Sequence, residues 1–290
     1  MSITSAMFTG VNGMKAQSEA MGVISNNISN VNTIGYKNAR TIFSDLLSQD
    51  IGHNNSQVGL GTQIQKVESQ FFGGALQTTS NISDVALQGD NLFFAVAQGT
   101  TTAGVTTPPT GAQTPATSQL TRAGAFNVDS AGYLVNASGK YVLDSAGAAI
   151  TFTAAGAAAG GGAGTASATF GRITSIQTDG TISAVDSTGA NMTVSGTGKI
   201  GIVRVQTPVE LQKIGDSLYS GATATAGVQT AFVSAFAPTE KIVANSLESS
   251  NVDMASEMVN MIVTQRAYSA NSKTITVNDQ LTNDAIQMVR

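Results

Sequence analysis

Residues 250–290 read SNVDMASEMVNMIVTQRAYSANSKTITVNDQLTNDAIQMVR, and the fold turns on whether this stretch is one helix. Between Val252 and Met288 it holds neither glycine nor proline, so nothing in it has to break a helix. Ser250 or Asn251 is placed to cap its N-terminus, and Asp253 and Glu257 put acids where a helix N-terminus favours them. Helical as far as Met288, the stretch would run roughly 55 Å at about 1.5 Å per residue, longer than a compact domain of this size buries alone. Its apolar residues lie on two seams. Met254, Met258, Met261, Tyr268 and Ile275 follow one; Val263, Ala267, Ala270, Thr274, Val277, Leu281 and Met288 follow the other. Two seams on one helix require neighbours on more than one side.

The first thirty residues supply a partner. Ile3, Met7, Gly10, Met14, Gln17, Met21, Ile24, Ile28 and Val31 recur at alternating intervals of four and three, a coiled-coil seam with Gly10 and Gln17 as its non-apolar members. Gly10, Gly13 and Gly22 each weaken this helix by about 1 kcal/mol relative to alanine, so it is expected to form only when packed. Two terminal heptad segments around a non-helical middle describe a polymer subunit whose chain ends meet and then pack against other copies. The expected self-assembly residues are Met7, Met14, Met21, Ile24 and Ile28 in the first segment, and Val259, Ile262, Val263, Ala270 and Leu281 in the second. Methionine is unbranched and adaptable, which suits a contact that slides.

Composition agrees with a covered surface. Of 290 residues only 11% are charged, while 31 are glycine and none is cysteine or tryptophan. So few charges fit a surface shared with neighbouring copies better than one left open to water. The net charge of −4, with no Lys/Arg cluster, excludes a nucleic-acid partner. No apolar run approaches the roughly 18 residues of a membrane span. The N-terminus lacks a basic segment followed by an apolar core and a small-residue cleavage site, so no cleavable signal peptide is expected.

Between the helical ends the chain reads as antiparallel β structure. Val85-Ala86-Leu87 and Leu92-Phe93-Phe94-Ala95-Val96 are apolar runs split by the turn residues Gly89-Asp90-Asn91. Further strands are expected at 119–128, 133–135, 141–143, 173–177, 182–185, 192–194 and 200–205, with turns at Asp129-Ser130-Ala131-Gly132, Asp179-Gly180 and Thr188-Gly189. Turns about every ten residues favour a sandwich or barrel. Residues 100–118, rich in Thr, Pro and Gly, and 154–168, almost all Ala and Gly, read as loops too poor in bulky residues to add core. The fold class is therefore α+β: a discontinuous terminal coiled-coil domain (1–33 and 246–290), a connecting segment (34–72) and a β-rich domain (73–245).

Four stretches carry a family resemblance. SNNISNVNTIGYKNARTIFSDLLSQ (25–49) has an Asn-rich helix exit, a Gly-Tyr-Lys turn and a short amphipathic piece; LESSNVDMASEMVNMIVTQRAYSANSKTI (247–275) is its C-terminal counterpart; GGALQTTSNISDVALQGDNLFFAV (73–96) and VELQKIGDSLYSG (209–221) lie between them. Together, in this order, they resemble the bacterial flagellar rod and hook proteins. The resemblance implies subunits that leave the cell uncleaved through the flagellar type III export apparatus and polymerise into a helical tube. Their terminal helices would line the inside and a β-rich domain would lie outside. It implies an extracellular location in the hook and basal body. The implied partners are further copies and other axial proteins: rod, hook cap and hook–filament junction. The segment 48–62 is short and points to a hook subunit, a flexible torque-transmitting joint, with the distal rod as the alternative. Asn26, Asn27, Gly35 and Tyr36 are expected to fix the connection between the helical and β-rich domains.

No chemistry is expected, and no cofactor. The lone His53 sits in a polar loop without an acidic or cysteine partner, and Gly59-Leu60-Gly61 lacks the Lys-Ser/Thr of a phosphate loop. A carboxylate pair assembled by folding, as in glycosidases, remains the enzymatic alternative. An adhesin-like β-protein would explain the Gly/Thr-rich strands but not the heptads.

Overall fold

Asp253, rather than Ser250 or Asn251, starts the long C-terminal helix. Its Oδ1 accepts the Ala255 N–H at 3.1 Å and its Oδ2 accepts the Ser256 hydroxyl at 2.6 Å. The Ser256 hydroxyl and then the Ala255 amide hold the carboxyl below its ordinary range. Asn251 is engaged elsewhere, its side chain donating to the Phe72 carbonyl at 3.2 Å. The computed structural model describes residues 3–46, 49–50, 57–102, 105–109, 111–154, 170–220, 227–229, 231–233 and 240–288. His53, Leu47, Ser48 and residues 155–168 of the Ala/Gly-rich run lie outside the described residues.

Two compact units emerge, one formed by Met1–Val31, Lys37–Gln70 and Val252–Arg290, the other by Asn32–Tyr36 and Phe71–Asn251. In the first, α1 (Ile3–Ser29) packs along α2 (Met254–Met288), helices of 27 and 35 residues. The expected connecting segment contributes an antiparallel pair to the same unit. β1 (Ala39–Asp45) and β2 (Thr62–Ser69) pair from Ala39 opposite Ser69 to Asp45 opposite Thr62, and both lie on α1. Thr41, Ile42, Phe43, Ile64 and Val67 are the β-branched and aromatic residues that favour strands here. Strand character in this stretch escaped the sequence reading because its burial is partial: no residue of β1 or β2 is fully buried.

The second unit is β-rich, and the strand pairings among its described residues are antiparallel. Its strands include β3 (Leu76–Thr78), β4 (Val85–Gln88), β5 (Leu92–Ala97), β6 (Gln119–Thr121), β7 (Phe126–Val128), β8 (Leu134–Asn136), β9 (Tyr141–Val142), β10 (Ile202–Arg204), β11 (Lys213–Gly215), β12 (Leu218–Ser220), β13 (Lys241–Ala244) and β14 (Ser246–Glu248). The main sheet runs β7-β8-β9-β5-β6-β12-β11, with β10 also on β5. On β5, Val96 faces Gln119 of β6 along one edge and Val142 of β9 along the other. Strand β5 is buried on both faces, which explains its unbroken apolar sequence. Leu92, Phe94 and Val96 point into one core with Phe126, Leu134, Ile150 and Ile202; Phe93, Ala95 and Ala97 point into another with Phe71, Leu143, Val203 and Tyr219. The expected single strand at 119–128 is two strands, β6 and β7. The break falls at Arg122–Ala125, where Gly124 lies so close against the Val85 carbonyl that no side chain fits. Residues 100–118, expected as a loop, contain the short pair Thr100–Thr102 and Val105–Thr107. Ser246–Asn251, grouped with the C-terminal helix by sequence, belong to this β-rich unit.

Candidate functional site

On α2 the most buried residues are polar, and an apolar row is exposed. On α2 the buried residues are Glu257 and Thr264, flanked at heptad spacing by half-buried Met261, Asn271, Ile275, Asn278 and Thr282. On α1, Gly10, Gly13, Ala16, Ala20 and Asn27 are buried, and Gly10 and Gly13 meet α2. The approach is close. A Cβ added to Gly10 would lie 3.0 Å from the Ile275 side chain, and one on Gly13 would lie 2.6 Å from Asn271 Nδ2. Two of the three glycines that weaken α1 as an isolated helix, Gly10 and Gly13, are therefore residues that admit α2, whereas Gly22 is exposed with nothing against it. The sequence reading weighed their helix propensity and missed this small-residue face; the spacing of Gly10, Gly13, Ala16 and Ala20 was the available signal.

The outward faces are apolar. Val259 and Val263 are each 60% exposed, Leu281 53% and Ile262 51%. Ala270 and Val277 are exposed on the same side, which also carries Arg266 and Lys273. Met254 and Met258, expected on one seam with Met261 and Ile275, are exposed while those two are half-buried, so that seam divides between the two faces. On α1, Phe8 is 67% exposed and Val11 is also exposed, whereas Met7, Met14, Met21, Ile24 and Ile28 are half-buried beside the small-residue face. A row of exposed apolar side chains this long is uncommon on a helix open to water.

Asn27 and Asn26, adjacent in sequence, do different things. Asn27 is buried, and its amide pairs with both backbone groups of Ala39: Nδ2 donates to the carbonyl at 2.7 Å and Oδ1 accepts the N–H at 3.0 Å. It thereby fixes the start of β1 to the end of α1. Asn26 is exposed, its Oδ1 accepting from Asn30 Nδ2 at 2.9 Å on the helix surface. Gly35 and Tyr36 belong to the β-rich unit. Gly35 has φ +67° and donates its N–H to the Glu248 carbonyl at 2.8 Å. Lys213 Nζ sits 5.0 Å above the Tyr36 ring, and burial lowers the Lys213 pKa. Among the described residues no group of His, Cys, Asp and Glu could hold a metal, and no helix is long and apolar enough to cross a membrane.

Residues 243–288 match the family described as "Flagellar basal body rod FlgEFG protein C-terminal", and residues 7–37 match "Flagella basal body rod protein". The chain is 32% identical to the flagellar basal-body rod protein FlgG of Bacillus subtilis, over 98% of its own length and 99% of that protein. The chain belongs to the flagellar rod and hook family. Its similarity to the rod protein FlgG of Borreliella burgdorferi is likewise end to end, 31% identity covering 98% of both chains. The flagellar hook protein FlgE of Treponema pallidum is 39% identical, but over only 45% of this chain and 27% of that protein. The full-length matches thus favour the rod alternative over the hook subunit read from the short 48–62 segment. Within the flagellum this family is a structural component, not an enzyme, and the exposed helical faces are the feature of the chain that suits assembly.

Proposed function

We propose that this protein is a distal rod subunit of the flagellar basal body, polymerising into a helical tube through the outward faces of α1 and α2. One observation carries the reading: α2 keeps its polar seam for α1 and leaves Val259, Ile262, Val263, Ala270, Val277 and Leu281 exposed. A lone chain gains nothing from that arrangement, since apolar area is worth roughly 25 cal/mol per Å² only once it leaves water. Copies packed helix to helix bury it. Contact between two different patches, if its rotation does not close, generates a filament rather than a ring. Exit through the flagellar export apparatus, terminal helices as the inner coiled-coil layer, and contacts with neighbouring rod and hook proteins belong to the same reading. The hook alternative, with hook cap and hook–filament junction as its neighbours, draws on the high local identity to hook proteins.

Electron microscopy of the purified protein after concentration or salting-out separates the two. Straight tubes are expected; curved or supercoiled tubes would transfer the assignment to the hook. A protein that stays monomeric under all such conditions, with both helices already protected from exchange, would remove the polymer reading.

A further inference from the structure

The assembly surface leaves unused the most deeply buried charges of the β-rich unit. Arg122 and Glu248 are 0% and 1% exposed, with Nη1 and Oε2 3.4 Å apart. Arg122 Nη2 donates to the Gly89 carbonyl at 2.5 Å and Nη1 to the Leu87 carbonyl at 3.4 Å, while the guanidinium lies 5.4 Å over the Phe93 ring. Burial lowers the Arg122 pKa, with Glu248 opposing the shift. The Arg122 Nε has no hydrogen-bond partner among the described residues. Taking two charges out of water offsets most of their attraction, so such a pair contributes to a particular arrangement more than to stability.

The arrangement it serves is specific. Glu248 Oε1 accepts the Gly74 N–H at 3.0 Å, and the Glu248 carbonyl accepts the Gly35 N–H at 2.8 Å. The Ser249 N–H reaches the Ala75 carbonyl at 2.9 Å, and the Asn251 N–H reaches the Tyr36 carbonyl at 3.4 Å. Strand β14 pairs with β3, Glu248 opposite Leu76. Gly35 has no room for a side chain, since a Cβ there would meet the Ala123 nitrogen at 2.7 Å. Three segments are thus bound side by side around one ion pair: 32–36, which follows α1; 71–75, which follows β2; and 246–251, which precedes α2. They are the segments through which the chain leaves this unit for the helical one.

We propose that Arg122 and Glu248 are positioning residues for assembly, a latch that gathers these segments so that the two terminal helices are delivered to the polymer as a pair. The proposal rests on the assembly reading for its polymer readout alone. The test uses the full-length chain as wild type, Glu248→Gln, and the double variant Arg122→Met/Glu248→Leu. Glu248→Gln keeps the shape but leaves the buried Arg122 charge unpaired, so it loosens the core as well; the double variant removes both charges and is the one in which latch and core amides are compared. Amide exchange is followed at Gly35, Ser249 and Asn251, and at Ala95 and Leu143 in the core. The three latch amides are expected to exchange about tenfold faster or more, with the two core amides unchanged. The critical concentration for tube formation should rise about tenfold or more, equivalent to roughly 1.4 kcal/mol per subunit. Wild-type exchange at the latch, equal acceleration at all five amides, or loosened latch amides with an unchanged critical concentration would each overturn the proposal. If the wild type forms no tubes, the assembly reading fails, and the exchange pattern still decides whether the latch exists.

Discussion

Asn27 does for β1 what a neighbouring strand would do. Its amide satisfies the N–H and the carbonyl of Ala39 in a buried position, so truncation strands two backbone groups. Leaving them unpaired costs about 2–4 kcal/mol in sum. Asn27→Ala should therefore lower the urea concentration that dissociates assembled tubes, whereas Asn26→Ala should leave it within about 0.5 kcal/mol of wild type. Equal effects would mean that the two asparagines are interchangeable helix-exit residues, which is all their sequence context distinguishes. The partner of Asn27 lies twelve residues away, and local turn chemistry carries no record of it. Asp253 offers a second test at this scale. Its carboxyl is held below the ordinary aspartate range, so its contribution to the α2 start is fully present above about pH 4 and is lost as the pH falls through its depressed value. The protection factor of the Ala255 amide should be flat from neutral pH down to about pH 5 and fall below about pH 4. The Asp253→Asn variant should show no such fall; if it does, the capping carboxylate is not the group responsible.

At the scale of the element, α2 was legible as a helix because 252–288 contains no breaker, and its apolar seams did not reveal which side meets α1. Sequence patterns favour apolar seams for intrachain packing, and here the inward seam mixes Met261 and Ile275 with Glu257, Thr264, Asn271, Asn278 and Thr282. The rule gives way because α1 answers with glycine and alanine, so close backbone approach replaces bulky side-chain packing. The β1–β2 pair was missed for a related reason, since its half-buried residues lack a clean alternation. In the β-rich unit the pattern rules worked wherever a strand is buried on both faces, as in β5, and failed at Arg122, whose burial depends on Glu248 far along the chain. The division of faces on α2 gives a contrast in mutational effect. Val263→Asp places a charge on the exposed side and should leave the monomer's stability within about 0.5 kcal/mol while abolishing tubes. Ala16→Leu overfills a fully buried position of α1 and should destabilise the helical unit by about 1–3 kcal/mol. Light scattering reads the first and far-ultraviolet circular dichroism the second. Tubes of normal yield from Val263→Asp would show that this face is not an interface.

For the whole molecule, the two units have unequal means of standing alone. The β-rich unit has apolar cores on both sides of β5, reinforced by edge-to-face contacts of Phe71 with Phe93 and of Phe94 with Phe126, with ring centroids 5.6 and 5.1 Å apart. The helical unit brings α1 to α2 at Gly10 and Gly13 against Ile275 and Asn271, with Met7, Met14, Met21, Ile24, Ile28 and Met261 only half-buried and Phe8, Val259, Ile262, Val263, Val277 and Leu281 exposed. Its helices therefore depend on other copies, and binding to the folded state alone stabilises by mass action. Two thermal transitions should follow. The loss of helical signal should move to higher temperature as protein concentration rises, each tenfold step adding up to about 1.4 kcal/mol per subunit once copies associate. The β transition, read from the near-ultraviolet signal of Tyr133, Tyr141 and Tyr219, should not move, because its core is complete within one chain. Val263→Asp should remove the concentration dependence of the first transition and leave the second in place. One cooperative transition independent of concentration would mean that α1 and α2 are stable without neighbours, and the outward apolar faces would then need an explanation other than assembly.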